Sequence, residues 1–118
     1  MVFKKLRVWQ EAHYLALEVY RVTKEFPESE AEGLTAEMRA SAIKISGKIA
    51  RAAGVPDAED RNRSLKIALR NARELKLRVE IASTLEYLEA DRAKELDFQI
   101  QRVEYMLTKL LLKIRVGR

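Results

Sequence analysis

The chain has 118 residues, of which 47% are hydrophobic and 35% charged, with four glycines, two prolines, one histidine, no cysteine and a net charge of +5. That length builds one domain with a core of its own, and the scarcity of Gly and Pro fits a helical protein. The missing thiols exclude a disulfide scaffold, a thiolate zinc site, an iron–sulfur cluster and a cysteine nucleophile, while the basic balance points to an acidic partner such as nucleic acid.

The opening MVFKKLRVWQEAHYL is broken by charges and lacks the uniform apolar core of a signal peptide. No apolar run is long enough to span a bilayer, so the chain is expected to be soluble and cytoplasmic. Val8, Ala12, Leu15, Val19, Val22 and Phe26 recur at alternating spacings of four and three, which predicts a first helix over about 7–25. Trp9, Ala16 and Tyr20 widen its apolar arc on one flank, and Pro27 ends it, because the residue before a proline is pushed out of the helical region.

Two starts stand open for the second helix: a capping box at Ser29-Glu30-Ala31-Glu32, or Gly33-Leu34-Thr35. Leu34, Met38, Ile45, Ile49 and Ala52 then face inward over about 34–53, until Gly54-Val55-Pro56 breaks the helix. Asp57 is a natural N-cap for a third helix over about 58–88, and Glu59 and Asp60 suit its dipole.

That third helix carries two stripes. Leu65, Ala68, Ala72, Leu75, Val79 and Ala82 make a buried face, and Arg63, Lys66, Arg70 and Arg73 repeat at the same spacings on the opposite side. Glu89-Ala90-Asp91 is expected to connect to a fourth helix over about 91–116. There Leu96, Ile100, Val103, Leu107, Leu110 and Ile114 form the seam, while Phe98, Tyr105, Leu112 and Val116 lie about half a turn away on the face that should be wet. A second apolar stripe implies a second partner, and self-association is expected there. The whole reads as an all-α, antiparallel up-down-up-down four-helix bundle in a single domain over residues 1–118.

Trp9-Gln10-Glu11-Ala12, Phe26-Pro27 with Glu30, Gly33-Leu34-Thr35, Met38-Arg39, Ile49-Ala50 and Glu74-Leu75 occur in that order along the chain. In this the chain resembles the bacterial four-helix-bundle family encoded in intervening sequences of 23S ribosomal RNA genes. The likeness covers nearly the whole chain and is most specific from Trp9 to Ala50. The fold of that family is similar to that of the accessory variability proteins of diversity-generating retroelements, which partner a reverse transcriptase and bind nucleic acid. Both resemblances imply a barrel-like homopentamer, with which the second stripe on the fourth helix agrees. One departure stands out. The family pattern after Met38-Arg39 is a second arginine and then Ala-Val-Ser-Ile-Pro-Ser-Asn-Ile-Ala-Glu-Gly, whereas here Ala40 replaces that arginine and Lys44, Lys48 and Arg51 stand where the family has Ser, Asn and Glu. Spaced i, i+4 and i+7, these three share one helix face.

Catalytic chemistry finds little support. His13 lacks the Glu-x-x-His companions of a di-iron bundle site and is expected at the boundary or surface. No P-loop, dinucleotide-binding glycine pattern or nucleophile elbow is present, and Glu74, Glu80 and Glu86 read as solubilising or salt-bridging residues. The expectation is a non-enzymatic protein without cofactor or metal. Cations one turn apart track a phosphate backbone and release counterions, so Arg63, Lys66, Arg70 and Arg73, with Lys44, Lys48 and Arg51, are the expected contacts to RNA or DNA. Sequence-specific reading is not expected, for no helix-turn-helix, zinc finger or exposed aromatic platform is legible, with Tyr14, Tyr87 and Tyr105 the candidates for an exception. Membrane binding is disfavoured because the apolar faces are committed to the core. The alternative reading is an accessory scaffold of a diversity-generating retroelement, holding a reverse transcriptase and its RNA template.

Overall fold

A computed structural model describes residues 3–116, with side chains as far as Leu112, so the side chains of Ile114 and Val116 lie outside the described residues. Four helices make up the bundle: α1 (Arg7–Thr23), α2 (Leu34–Gly54), α3 (Ala58–Thr84) and α4 (Ala90–Val116), with short 3-10 turns at Phe3–Lys5 and Glu28–Glu30. Short connections force each helix to run back along the previous one. α1 packs on α2 and α4, and α3 packs on the same two, so α1 and α3 stand on one diagonal and α2 and α4 on the other. The elongated outline, 47 × 22 × 21 Å, is that of helices lying side by side. Among the described residues there is no strand, and no helix is long and apolar enough to cross a membrane.

The core is built from the inward stripes. Leu15, Val19, Met38, Ile45, Ile49, Leu75, Val79, Leu96, Ile100, Val103 and Leu107 are fully buried, whereas Leu110 is half-buried near the open end of α4. Each fully buried aliphatic side chain contributes roughly 1.5–3 kcal/mol relative to exposure, more than any surface contact in the molecule.

Several helix ends depart from their expected places. α1 stops at Thr23 instead of 25, because Glu25 and Phe26 donate their amides to the carbonyls of Val22 and Thr23 in tightened i→i−3 bonds ahead of Pro27. No capping box forms at Ser29. α2 begins at Leu34, whose amide donates to Glu30 Oε1 at 3.1 Å. A Cβ at Gly33 would stand 2.8 Å from that oxygen, so the glycine leaves room for the carboxylate cap. The other oxygen, Oε2, accepts the Tyr87 hydroxyl at 3.1 Å and ties this loop to the α3–α4 turn. That bond and the negative charge behind it hold the Tyr87 phenol above its ordinary pKa. At the start of α3, the Asp57 side chain accepts the Asp60 amide at 3.0 Å as an N-cap.

The largest departure is the end of α3. It stops at Thr84, the connection is Leu85–Glu89, and Ala90 and Asp91 already belong to the first turn of α4. The Tyr87 amide reaches back to the Ala82 carbonyl at 2.9 Å and the Glu86 amide to the Ser83 carbonyl at 3.0 Å, the bond pair of a Schellman motif. Such a stop places its C′ residue in the left-handed region, and that residue is Glu86 at φ 63°. A side chain there costs roughly 1–2 kcal/mol that glycine avoids. Glu86→Gly is therefore expected to stabilise the fold by about 0.5–1 kcal/mol in chemical denaturation; a destabilised variant would mean that the carboxylate makes a contact worth more than the strain.

Candidate nucleic-acid interface

The seam between α2 and α3 is held by small polar residues that let the two backbones approach. Ser64, which is buried, donates its hydroxyl to the Lys48 carbonyl at 2.8 Å. Farther along, Arg78 Nη1 donates to the buried Ser41 hydroxyl at 2.9 Å and lies among the carboxylates of Glu37 and Glu74, 3.4 and 3.7 Å from its nearest guanidinium nitrogens. The first contact brings the C-terminal half of α2 beside the first turns of α3. Between them opens a groove of about 320 Å³ lined by Lys48, Arg51, Asp60, Arg63, Ser64 and Ile67.

Two separate basic stripes thus meet in one place. Arg63 carries an ion pair with Asp60, one turn back on its own helix, which holds its guanidinium at the rim at the expense of part of its charge. Lys48 is half-buried, Arg51 is exposed, and neither has an ion-pair partner among the described residues. Lys44 is exposed one turn from Lys48 on the same face of α2. Three cations against one carboxylate leave the groove positive, and its openness suits a chain that runs through it.

The remaining cations divide. All four of Arg63, Lys66, Arg70 and Arg73 are exposed, but positions three apart lie about 60° from each other around a helix. Lys66 accordingly overlooks the α4 side, in a recess with Asn62, Thr108, Leu111 and Leu112. Arg73 pairs across to Glu104 on α4 at 3.6 Å. The basic line on α3 is therefore not free of carboxylates, since Asp60 and Glu104 each engage one member. Arg70 stands exposed between the two groups, without an ion-pair partner among the described residues.

On α4, Phe98, Tyr105 and Leu112 are 63%, 64% and 51% exposed, and the Lys109 ammonium lies 5.3 Å from the centre of the Tyr105 ring. A second uncovered apolar group escaped the sequence reading. Past Arg73 the outer face of α3 changes character, and Leu77, Ile81 and Leu85 are 67%, 49% and 50% exposed. Leu77 and Ile81 line a recess of about 300 Å³ with Glu37, Glu74 and Arg78. Their i, i+4 spacing was the available signal, masked by the stronger inward stripe of Leu75 and Val79 two residues away on each count.

A family model described as 23S rRNA-intervening sequence protein matches residues 4–109, a span that holds all seven of these cations. No curated protein matches the chain.

Farther along the α3–α4 side, Asp97 on α4 has its carboxyl pushed above the ordinary value of 3.8, first by burial, with Lys76 pulling it down and Glu80 pushing it up. Its Oδ1 is buried without a hydrogen-bond partner. The folded chain therefore holds this proton more tightly than the unfolded one, and the stability it contributes is lost as pH rises through the folded value. Asp97→Asn is expected to raise the denaturation midpoint at pH 7 and to leave it unchanged at pH 3, where wild type is protonated in both states. An equal gain at both pH values would mean that charge is not the cause.

Proposed function

The chain belongs to the 23S rRNA-intervening sequence protein family, and from that premise we propose that it is a non-enzymatic protein that binds the backbone of RNA or DNA through basic helix faces. The observation that carries this reading is the convergence of Lys48, Arg51 and Arg63 on one open groove. Their charges are matched by a single carboxylate of the lining, and the self-repulsion of clustered cations is relieved by a polyanion. Lys44 and Arg70 extend the positive track along the two helices, and Lys66 adds to it on the α4 side. Arg73, already engaged with Glu104, contributes least.

Binding of this kind reads charge and spacing more than bases. Affinity for a duplex should fall steeply with salt, and each of Lys48→Ala, Arg51→Ala and Arg63→Ala should lower the salt slope by about one. Fluorescence anisotropy across a salt series measures this. An unchanged slope in the triple variant would remove the groove from the contact surface, and no binding even at low salt would overturn the reading.

The proposal includes assembly into a homopentamer. A closed ring needs two different surfaces on each chain, the head of one copy meeting the tail of the next. The Phe98–Tyr105–Leu112 stripe on α4 and the Leu77–Ile81–Leu85 group on α3 are two uncovered apolar surfaces. They sit on the neighbouring helices α3 and α4, and the proposed contact between them is one whose rotation closes a ring of five. Sedimentation of the pure protein should give a pentamer, and Tyr105→Asp should shift it to monomer. A wild-type monomer at micromolar concentration would defeat this part.

A further inference from the structure

The entry to α1 carries an aromatic assembly that neither the core nor the groove accounts for. Phe3 meets Trp9 edge-on, with ring centroids 5.1 Å apart. Trp9 stacks on His13 at 4.7 Å with the planes only 12° apart, as two flat side chains one turn apart on a helix face allow. The adjoining Tyr14 ring lies 6.3 Å from His13 and is 61% exposed. Trp9 is half-buried against the core, which anchors it, while His13 is exposed. The inner ring is thus fixed by the bundle, and the outer ring is laid flat upon it and turned to solvent.

Positive charge precedes this stack in the chain. Lys4, Lys5 and Arg7 are all exposed, and none has an ion-pair partner among the described residues. The turn that carries the two lysines is strapped to α1, for Gln10 Nε2 donates to the Lys4 carbonyl at 2.9 Å and the Leu6 amide to the Phe3 carbonyl at 3.0 Å. The carboxylate of Glu11, next along the helix, is occupied by Arg102 Nη2 at 3.0 Å. What remains is an anchored flat ring beside the strapped turn that carries the unpaired cations Lys4 and Lys5.

That combination matches one chemistry. A duplex hides the faces of its bases and offers only phosphates, whereas an unpaired nucleotide offers both a flat π-face and a phosphate on either side. We infer that the Trp9–His13 stack is a platform for an unpaired nucleobase, with Lys4 and Lys5 taking the flanking phosphates. The ligand of this surface is a single-stranded stretch of RNA or DNA. The inference rests on the nucleic-acid reading above and goes beyond it, adding a second site of different selectivity on another face of the bundle.

Trp9 is the sole tryptophan of the chain and reports directly on the platform. The test titrates the full chain at low salt with oligouridylate, oligodeoxyuridylate and a DNA duplex, reading Trp9 fluorescence and the anisotropy of labelled nucleic acid together. The expected result is saturable quenching of Trp9 by at least one single strand and none by the duplex. His13→Ala should weaken single-strand binding about fivefold or more while leaving duplex affinity unchanged, with helicity by circular dichroism confirming that the variant folds. Duplex binding without quenching by either single strand, or a His13→Ala variant that binds single strands as wild type does, overturns the platform alone. No binding of any of the three overturns the platform and the groove together. The ratio of the two single strands shows which sugar the platform prefers.

Discussion

A buried hydrogen bond fixes the register on which the groove between α2 and α3 depends. Ser64 gives its hydroxyl to the Lys48 carbonyl, and it does so from a buried position where only a short side chain fits between two backbones. Apolar packing alone would tolerate a slide of α2 against α3, because its stripes repeat every turn. A buried hydroxyl has no such freedom, since an unmade bond there costs about 1–3 kcal/mol. With the register pinned at this point and again at Arg78–Ser41, Lys48 and Arg51 come level with Arg63, and the groove follows. Arg39 does the same office on the α1–α2 side, where its Nε donates to Thr23 Oγ1 at 2.8 Å and its guanidinium lies 4.6 Å over the Tyr20 ring.

Charge in this bundle is sorted as well as abundant. Arginines at helix seams are spent on structure: Arg73 with Glu104, Arg78 with Glu37 and Glu74, Arg92 with Glu18 and Glu95, Arg102 with Glu11. Exposed pairs of this type contribute little each, yet together they tie neighbouring helices. Among the cations outside this web, Lys48 and Arg51 on α2 and Lys4, Lys5 and Arg7 around the start of α1 lie toward the end of the bundle where α2 gives way to α3, Lys44 and Arg70 stand near the middle of their helices, and Lys24 and Lys94 lie at the opposite end.

The inward stripes were plain in the sequence because helix period and burial agree. Every residue of the two stripes from Val8 to Phe26 and from Leu65 to Ala82 is buried, whereas on the flank of the first stripe Trp9 is half-buried and Tyr20 exposed. Helix ends were less legible wherever the stop depends on backbone bonding instead of a marker residue. Glu86 occupies a position that glycine usually marks, so the end of α3 carried no flag, and the cap of α2 comes from Glu30, four residues before the amide it serves. The basic stripes were visible as stripes. Their partition was not, because a one-helix projection cannot show that Arg63 leans to α2 and Arg73 to α4. The Trp9–His13 stack lay in plain spacing, but with Trp9 assigned to the core flank and His13 to the surface, the two were never weighed as one object.

The three-residue link from α2 to α3, Val55–Asp57, also governs how the molecule is made. Closing so short a loop costs little chain entropy, and helical hairpins of neighbouring segments are the fast-forming contacts of a folding chain. α2 and α3 can therefore pair as a local hairpin before α4 packs on them. The groove-bearing hairpin is then assembled early, and the apolar stripe of Leu75 and Val79 waits for α4 to cover it. The α2–α3 groove is complete within that hairpin, and the last helix of the chain closes the core.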